Sequence, residues 1–311
     1  MTQKIFTDWQ PKHAALWGQH PLRLKHSLAE SPLFSNSALA ELISSYPREH
    51  YDLLHTAEVG AARREWREGE IGSASGEDVM DAVRDGRMWI NLRRVMEVDA
   101  RYDGVLKDIF AELSSRVPGF DPYKLNLGIL ISSPKAQVYY HADIPGQSLW
   151  QIRGTKRVYV YPTIETLLPK PTLEGIILGS TEEEFDYEPW YDDCAQVVDL
   201  EPGEMLHWPL NCPHRVENHD MLNVSLTTEH WTEELKRHYV VNYANGVMRH
   251  RFGLTPKGHD TTGLGYYAKL GLAGIWKVAG LQKSKEVKRT VDFRLNPQAA
   301  DFMLDIPAYQ R

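Results

Sequence analysis

From Leu125 to Thr228 the chain runs through a series of short β-type segments separated by turn residues. They are Leu125–Ile131, Gln137–Tyr140, Leu149–Ile152, Arg157–Tyr161, Gln196–Leu200, Glu204–Trp208 and Leu222–Thr227. Parallel strands need long, usually helical crossovers between them, and no such helices interleave these runs. Short strands at this spacing point instead to an antiparallel sandwich or barrel.

The flanks read differently. Leu39, Leu42 and Ile43 recur at helical spacing within Asn36–Tyr46, and Pro47 supplies the stop. Gly60–Gly76 is charged and Gly/Ser-rich and reads as an exposed loop, and Ser75-Gly-Glu-Asp78 has capping-box spacing. Arg87–Leu92 reads as a strand, and Val105, Leu106, Ile109, Phe110 and Leu113 share one helical face. After Trp231 the pattern returns to helix-like and irregular polar segments. The expectation is one structural unit over 1–311, mainly β with helical additions. Its β core covers about 87–231, after a lead-in of 1–86 and before a helical extension of 232–311.

Composition narrows the function classes. With 35 basic against 42 acidic residues the net charge is -7, which makes nucleic acid an unlikely partner. Two cysteines, Cys194 and Cys212, are too few for a disulfide framework. No stretch reaches the roughly 18 apolar residues of a membrane span, and the N-terminus lacks the apolar run of a secretory signal. A cytoplasmic protein is the expectation.

The chemistry concentrates in three places. His141-Ala-Asp143 puts an imidazole and a carboxylate on one side of an extended segment. Lys156 follows thirteen residues after Asp143, beyond a Gly154-Thr155 turn, and period two places it with Val158 and Val160, opposite Arg157, Tyr159 and Tyr161. A lysine sharing an apolar face is the partner of a buried anion, unless that face is the outer one. The third place is Glu201-Pro-Gly-Glu-Met-Leu-His-Trp-Pro209, leading to His214 at the start of an extended segment. Two histidines and one carboxylate with open positions form the facial triad of non-haem Fe(II) oxygenases.

Together, His141-Ala-Asp143, Gln151-Ile-Arg-Gly-Thr-Lys156-Arg and Gly203 through Pro209 to His214 resemble the JmjC/cupin-like 2-oxoglutarate oxygenases, among them the asparaginyl hydroxylase of the hypoxia-inducible transcription factor. The resemblance implies a double-stranded β-helix, a jelly-roll barrel. His141, Asp143 and His214 would hold Fe(II), Lys156 would hold the far carboxylate of the 2-oxoglutarate co-substrate, and O₂ would complete the site. The implied activity is a dioxygenase that hydroxylates a protein side chain or a small molecule. Three positions depart from the family pattern. Val138 stands where a threonine is usual, so a hydroxyl for the co-substrate must come from elsewhere, with Tyr140 or Tyr139 as the candidates. Gln147 replaces an asparagine near the co-substrate, and Glu229 replaces a late-strand asparagine. These departures motivate an alternative, a cupin-like metal-binding sensor without turnover. A zinc- or manganese-dependent isomerase or hydrolase on the same barrel is the third reading.

Other features weigh less. His207, His219 and His230 lie near the motif without a place in it, and Cys212 reads as a buried thiol. Thr181–Asp186 reads as a solvated acidic loop, with Trp190 and Tyr191 packed beside it. Gly263–Leu281 with the basic run Lys283–Arg289 suits a helical pair that covers the barrel or forms a homodimer interface; peripheral membrane contact through 263–289 is the lesser reading.

Overall fold

The computed structural model describes residues 4–56, 66–180, 185–281 and 289–311. Ahead of the centre lie β1 (Leu22–Lys25), β2 (Tyr51–Thr56), β3 (Trp66–Glu70) and β4 (Met88–Leu92). The centre comprises β5 (Tyr123–Ser132), β6 (Gln137–His141), β7 (Gly146–Arg153), β8 (Lys156–Val160), β9 (Gln196–Leu200), β10 (Glu204–His207), β11 (His214–Asn218) and β12 (Asn223–Trp231). β13 (Thr290–Leu295) and β14 (Met303–Gln310) follow.

Apart from β8 and β9, which follow one another in the smaller sheet, the central strands alternate between two antiparallel sheets. One has the order β10-β7-β12-β5 and the other β6-β11-β8-β9. This is the double-stranded β-helix that the strand spacing and the resemblance lead one to expect. Tight turns make the handovers possible. Gly154, at φ +73°, turns β7 into β8, and a Cβ there would lie 2.4 Å from the Leu222 carbonyl oxygen.

Period-two alternation decides which side chains meet inside. Leu149 and Leu206 from the larger sheet meet Val158, Val160, Val198, Leu200 and Val216 from the smaller one. Each such side chain contributes roughly 1.5–3 kcal/mol on burial. The outer face of the larger sheet, with Trp150, Met205 and Leu226, packs against the amino-terminal third through Phe6, Phe34, Leu106 and Phe110. The helix Ala100–Arg116 supplies the last two; Asp99 caps it by accepting from the Arg101 N–H. The Ser75–Asp78 capping box forms as expected and opens the helix Gly76–Asp85.

Two expectations need correction. Residues 60–65 of the expected 60–76 loop lie outside the described residues, but Trp66–Glu70 is a strand. It pairs antiparallel with β2 and parallel with β13. Its charges are matched across the sheet, with Arg67 donating to Asp292 at 3.0 Å. Gly69 is required because a Cβ there would lie 2.3 Å from the Phe293 ring. The carboxy-terminal region is also not purely helical. After the helices Glu233–Phe252 and Gly263–Val278 the chain returns as the β13–β14 hairpin and extends the larger sheet in the order β5-β4-β2-β3-β13-β14. Among the described residues no helix is long and apolar enough to cross a membrane.

Candidate metal centre

β6 and β11 are neighbours, and their register sets His141 opposite His214. The imidazole centroids lie 4.1 Å apart. Asp143, just beyond the end of β6, brings its carboxylate within 3.3 Å of His214 Nε2 and 3.9 Å of His141 Nε2. The three donor atoms all lie within 4.8 Å of one another. Each Nδ1 faces the backbone carbonyl two residues earlier: Tyr139 at 2.7 Å for His141 and Cys212 at 3.0 Å for His214. A carbonyl can only accept, so Nδ1 carries the proton and Nε2 keeps its lone pair for the centre. Burial, reinforced by His141, lowers the His214 pKa well below the usual histidine range and keeps the ring neutral. Two imidazoles and one carboxylate suit a divalent transition metal, and the donor set fits Fe(II).

The surroundings hold these ligands in place. With its amide nitrogen turned toward Asp143, Gln147 donates to both carboxylate oxygens, one of them at 2.9 Å. Asn211, at φ +57°, donates to the Asp143 backbone carbonyl at 2.6 Å. Trp208 is buried, its ring centroid 4.4 Å from that of His214.

Lys156 lies on the same inner face. β8 pairs with β11 so that Val160 sits opposite His214 and Lys156 opposite Asn218. The four residues from Val160 back to Lys156 span ~13 Å of strand. Lys156 is 3% exposed, and among the described residues its ammonium has no hydrogen-bond or ion-pair partner. Desolvation alone lowers its pKa to about 8. An unpaired ammonium in this position is a site built for an anion.

Tyr140 is not part of this pocket. It alternates with His141 and lies against the outer face of the smaller sheet, where its hydroxyl donates to the Leu167 carbonyl at 2.8 Å. There it packs with Tyr161, Phe185 and Tyr191. The expected role of Tyr140 toward a co-substrate is therefore corrected: a neighbour of a ligand in sequence points away from it in a strand. His207 and His230 also face outward on the larger sheet; His207 stacks on Trp17 with centroids 3.8 Å apart, and His230 packs on Phe120. His219 pairs with Asp199 at 3.1 Å. Cys212 is buried, and burial pushes its thiol up to about 12. Most of the acidic run, residues 181–184, lies outside the described residues.

The model of the family described as "Cupin-like domain" matches residues 77–236. The chain belongs to the cupin-like family. Among solved structures, the X-ray structure of Escherichia coli ycfD shares 15% identity over 92% of this chain and 70% of its own, with a TM-score of 0.51. That likeness shows the fold. A second structure, of YcfD described as a ribosomal oxygenase from Escherichia coli in complex with cobalt and 2-oxoglutarate, matches at 17% identity over 89% of this chain and 68% of its own, with a TM-score of 0.49. No curated protein matches.

Within this cupin-like barrel the three residues named from the sequence come together, and their supports are not evident from the sequence. Asn211 could have been flagged, because an asparagine between Pro209 and Pro213 suits a left-handed turn. The resemblance places Gln147 near the co-substrate, whereas the fold brings its amide onto the Asp143 carboxylate.

Proposed function

We propose that this cupin-like protein is an Fe(II)- and 2-oxoglutarate-dependent oxygenase, a hydroxylase of a protein side chain or small molecule. One observation carries the reading: the three-donor cluster shares the barrel's inner face with a buried lysine that has no partner among the described residues. His141, Asp143 and His214 would hold the iron through two Nε2 atoms and a carboxylate. Lys156 would meet the far carboxylate of the oxo-acid as a point charge. Leu149, Val158, Leu206 and Val216 would keep water from the region between them. Iron, when bound, supplies O₂ activation coupled to decarboxylation of the oxo-acid. Gln147 and Asn211 orient Asp143 from its carboxylate and its backbone. The finer likeness to the asparaginyl hydroxylase rests on motif spacing.

The test is formation of succinate from 2-oxoglutarate by the purified protein with Fe(II) in air. Metal-dependent succinate formation is expected even without added substrate. Tight binding of both without turnover would favour the sensor reading, and a bound metal with indifference to 2-oxoglutarate would favour an isomerase or hydrolase.

The same reading extends to a partner. The helix Gly263–Val278 turns Ala273 and Trp276 inward and leaves Leu264, Tyr267, Ile275 and Val278 exposed along one stripe. We assign this stripe to a second copy of the chain, as in the expected homodimer. Residues 283–288 of the basic run lie outside the described residues. Light scattering should give a dimer that Ile275→Glu dissociates, and a parent monomer that sediments with anionic vesicles would overturn the assignment.

A further inference from the structure

We infer that His207 is a positioning residue of the metal centre: its imidazole holds the Gln147 backbone, and through it the side-chain amide that donates to Asp143. This inference rests on the metal site of the oxygenase reading. His207 is the last residue of β10, where Leu206 turns into the barrel and Met205 and His207 turn to the outer face. The ladder between β10 and β7 runs from Glu204 opposite Gln151 to His207 opposite Ser148 and stops there. Gln147, the next residue toward the start of β7, has no β10 partner in that ladder. The His207 ring takes over. Its Nδ1 lies 2.9 Å from the Gln147 carbonyl oxygen and 3.1 Å from Ser148 Oγ. A carbonyl can only accept, so Nδ1 carries the proton and donates.

The ring itself is fixed. It is 2% exposed and stacks on Trp17 with the two planes within 2° of each other. Trp17 is buried and follows the helix Pro11–Leu16, so the stack anchors the imidazole to the amino-terminal segment. Burial, reinforced by His230, lowers the His207 pKa to about 3 and keeps the ring neutral. Its Nε2 is buried and has no hydrogen-bond partner among the described residues. A buried acceptor left unmade is unfavourable, so packing alone would favour a phenyl ring here. What the imidazole adds is the Nδ1 donor. On the other side of β7, Glu229 sits opposite Gln147 and His230 opposite Gly146. A Cβ on Gly146 would lie 2.5 Å from His230 Cε1, so the start of the strand is gripped from both neighbours. A peptide held on both sides sets the Cα–Cβ direction of Gln147, and with it the place where the amide meets Asp143.

The experiment titrates Mn(II) into the full chain and into two variants that separate the donor from the packing. His207→Phe keeps an aromatic ring for Trp17 and loses the donor; His207→Asn loses the ring and keeps an N–H near the Nδ1 position. His207→Phe should bind Mn(II) about tenfold more weakly, with a melting temperature at or above the parent's. His207→Asn should melt lower and bind Mn(II) more tightly than His207→Phe, close to the parent. A histidine that only packs would give the reverse order. In a Gln147→Leu background His207→Phe should cost no further affinity, because both act through one amide. Parent-like binding by His207→Phe overturns the inference, as do an equal loss in His207→Asn or additive losses in the double variant. Any of these leaves the metal site standing; a parent that binds no Mn(II) removes that site and the inference with it. If His207→Phe fails to fold, the parent decides by nitrogen-15 NMR, with His207→Asn identifying the resonance. Loading Zn(II) should shift the His207 Nδ1 proton and leave the ring of His26, which bonds the Glu204 carbonyl, in place. An unmoved His207 resonance overturns the inference.

Discussion

His141 and His214 stand directly opposite each other on adjacent antiparallel strands, their rings 4.1 Å apart and both Nδ1 atoms engaged by backbone carbonyls. The sheet brings two imidazole Nε2 atoms together, and Asp143 closes the third side. Replacing any one of the three by Ala is expected to abolish stoichiometric Fe(II) or Mn(II) binding. The far-ultraviolet circular dichroism should persist, because the apolar contacts of the barrel lie deeper. Undiminished metal content in any two of the variants would remove the triad.

Gln147 tests how far the site depends on its supports. Its amide is the donor that orients Asp143, so Gln147→Leu should weaken metal affinity about 10–100-fold without removing a ligand. Isothermal titration with Mn(II) reads this directly. Gln147→Asn, with a shorter arm, should fall between the two. An unchanged affinity in Gln147→Leu would mean that Asp143 is held in place without Gln147.

Lys156 should affect stability and binding in opposite directions. A buried ammonium with no partner among the described residues destabilises the ligand-free fold, so Lys156→Met should raise its stability, by about 1–4 kcal/mol if it follows other buried charges replaced by apolar groups. The same change should weaken 2-oxoglutarate by about 2–5 kcal/mol while Mn(II) affinity holds. Thermal melting and titration check the two halves separately. A variant that loses stability and keeps 2-oxoglutarate would show that the lysine has another partner.

The parts legible in the sequence were those governed by local periodicity. Alternation along β8 correctly put Lys156 with Val158 and Val160 inside, and the short-strand spacing pointed to the two-sheet barrel. The same rule separates Tyr140 from His141, so the tyrosine hydroxyl expected at the co-substrate points to the outer face. What stayed hidden depends on partners far along the chain. Trp66–Glu70 reads as a polar loop because Asp292 and Phe293, which make it a strand, lie more than two hundred residues downstream. The Asn126 Oδ1, buried and without a hydrogen-bond partner among the described residues, likewise becomes visible only when β5 and β12 are paired.

The pH dependence of co-substrate binding follows from the same lysine. Burial lowers its pKa from the ordinary 10.5 to about 8. Between those values the unfolded chain keeps a proton that the native, ligand-free protein has released. Stability of the ligand-free fold should therefore rise as pH climbs from about 8 toward 10.5, and the lysine should contribute no pH dependence below about 8. Binding runs the other way. A carboxylate beside the ammonium favours the charged form, so 2-oxoglutarate binding must take up a proton above about pH 8. Its affinity should be level below that point and fall by up to about tenfold per pH unit above it. Lys156→Arg keeps its charge throughout, so any binding it retains should show no such break. Titrations at about pH 7 and about pH 9 suffice, with Mn(II) in place of iron. A parent affinity that does not change between them would mean that Lys156 does not hold the co-substrate.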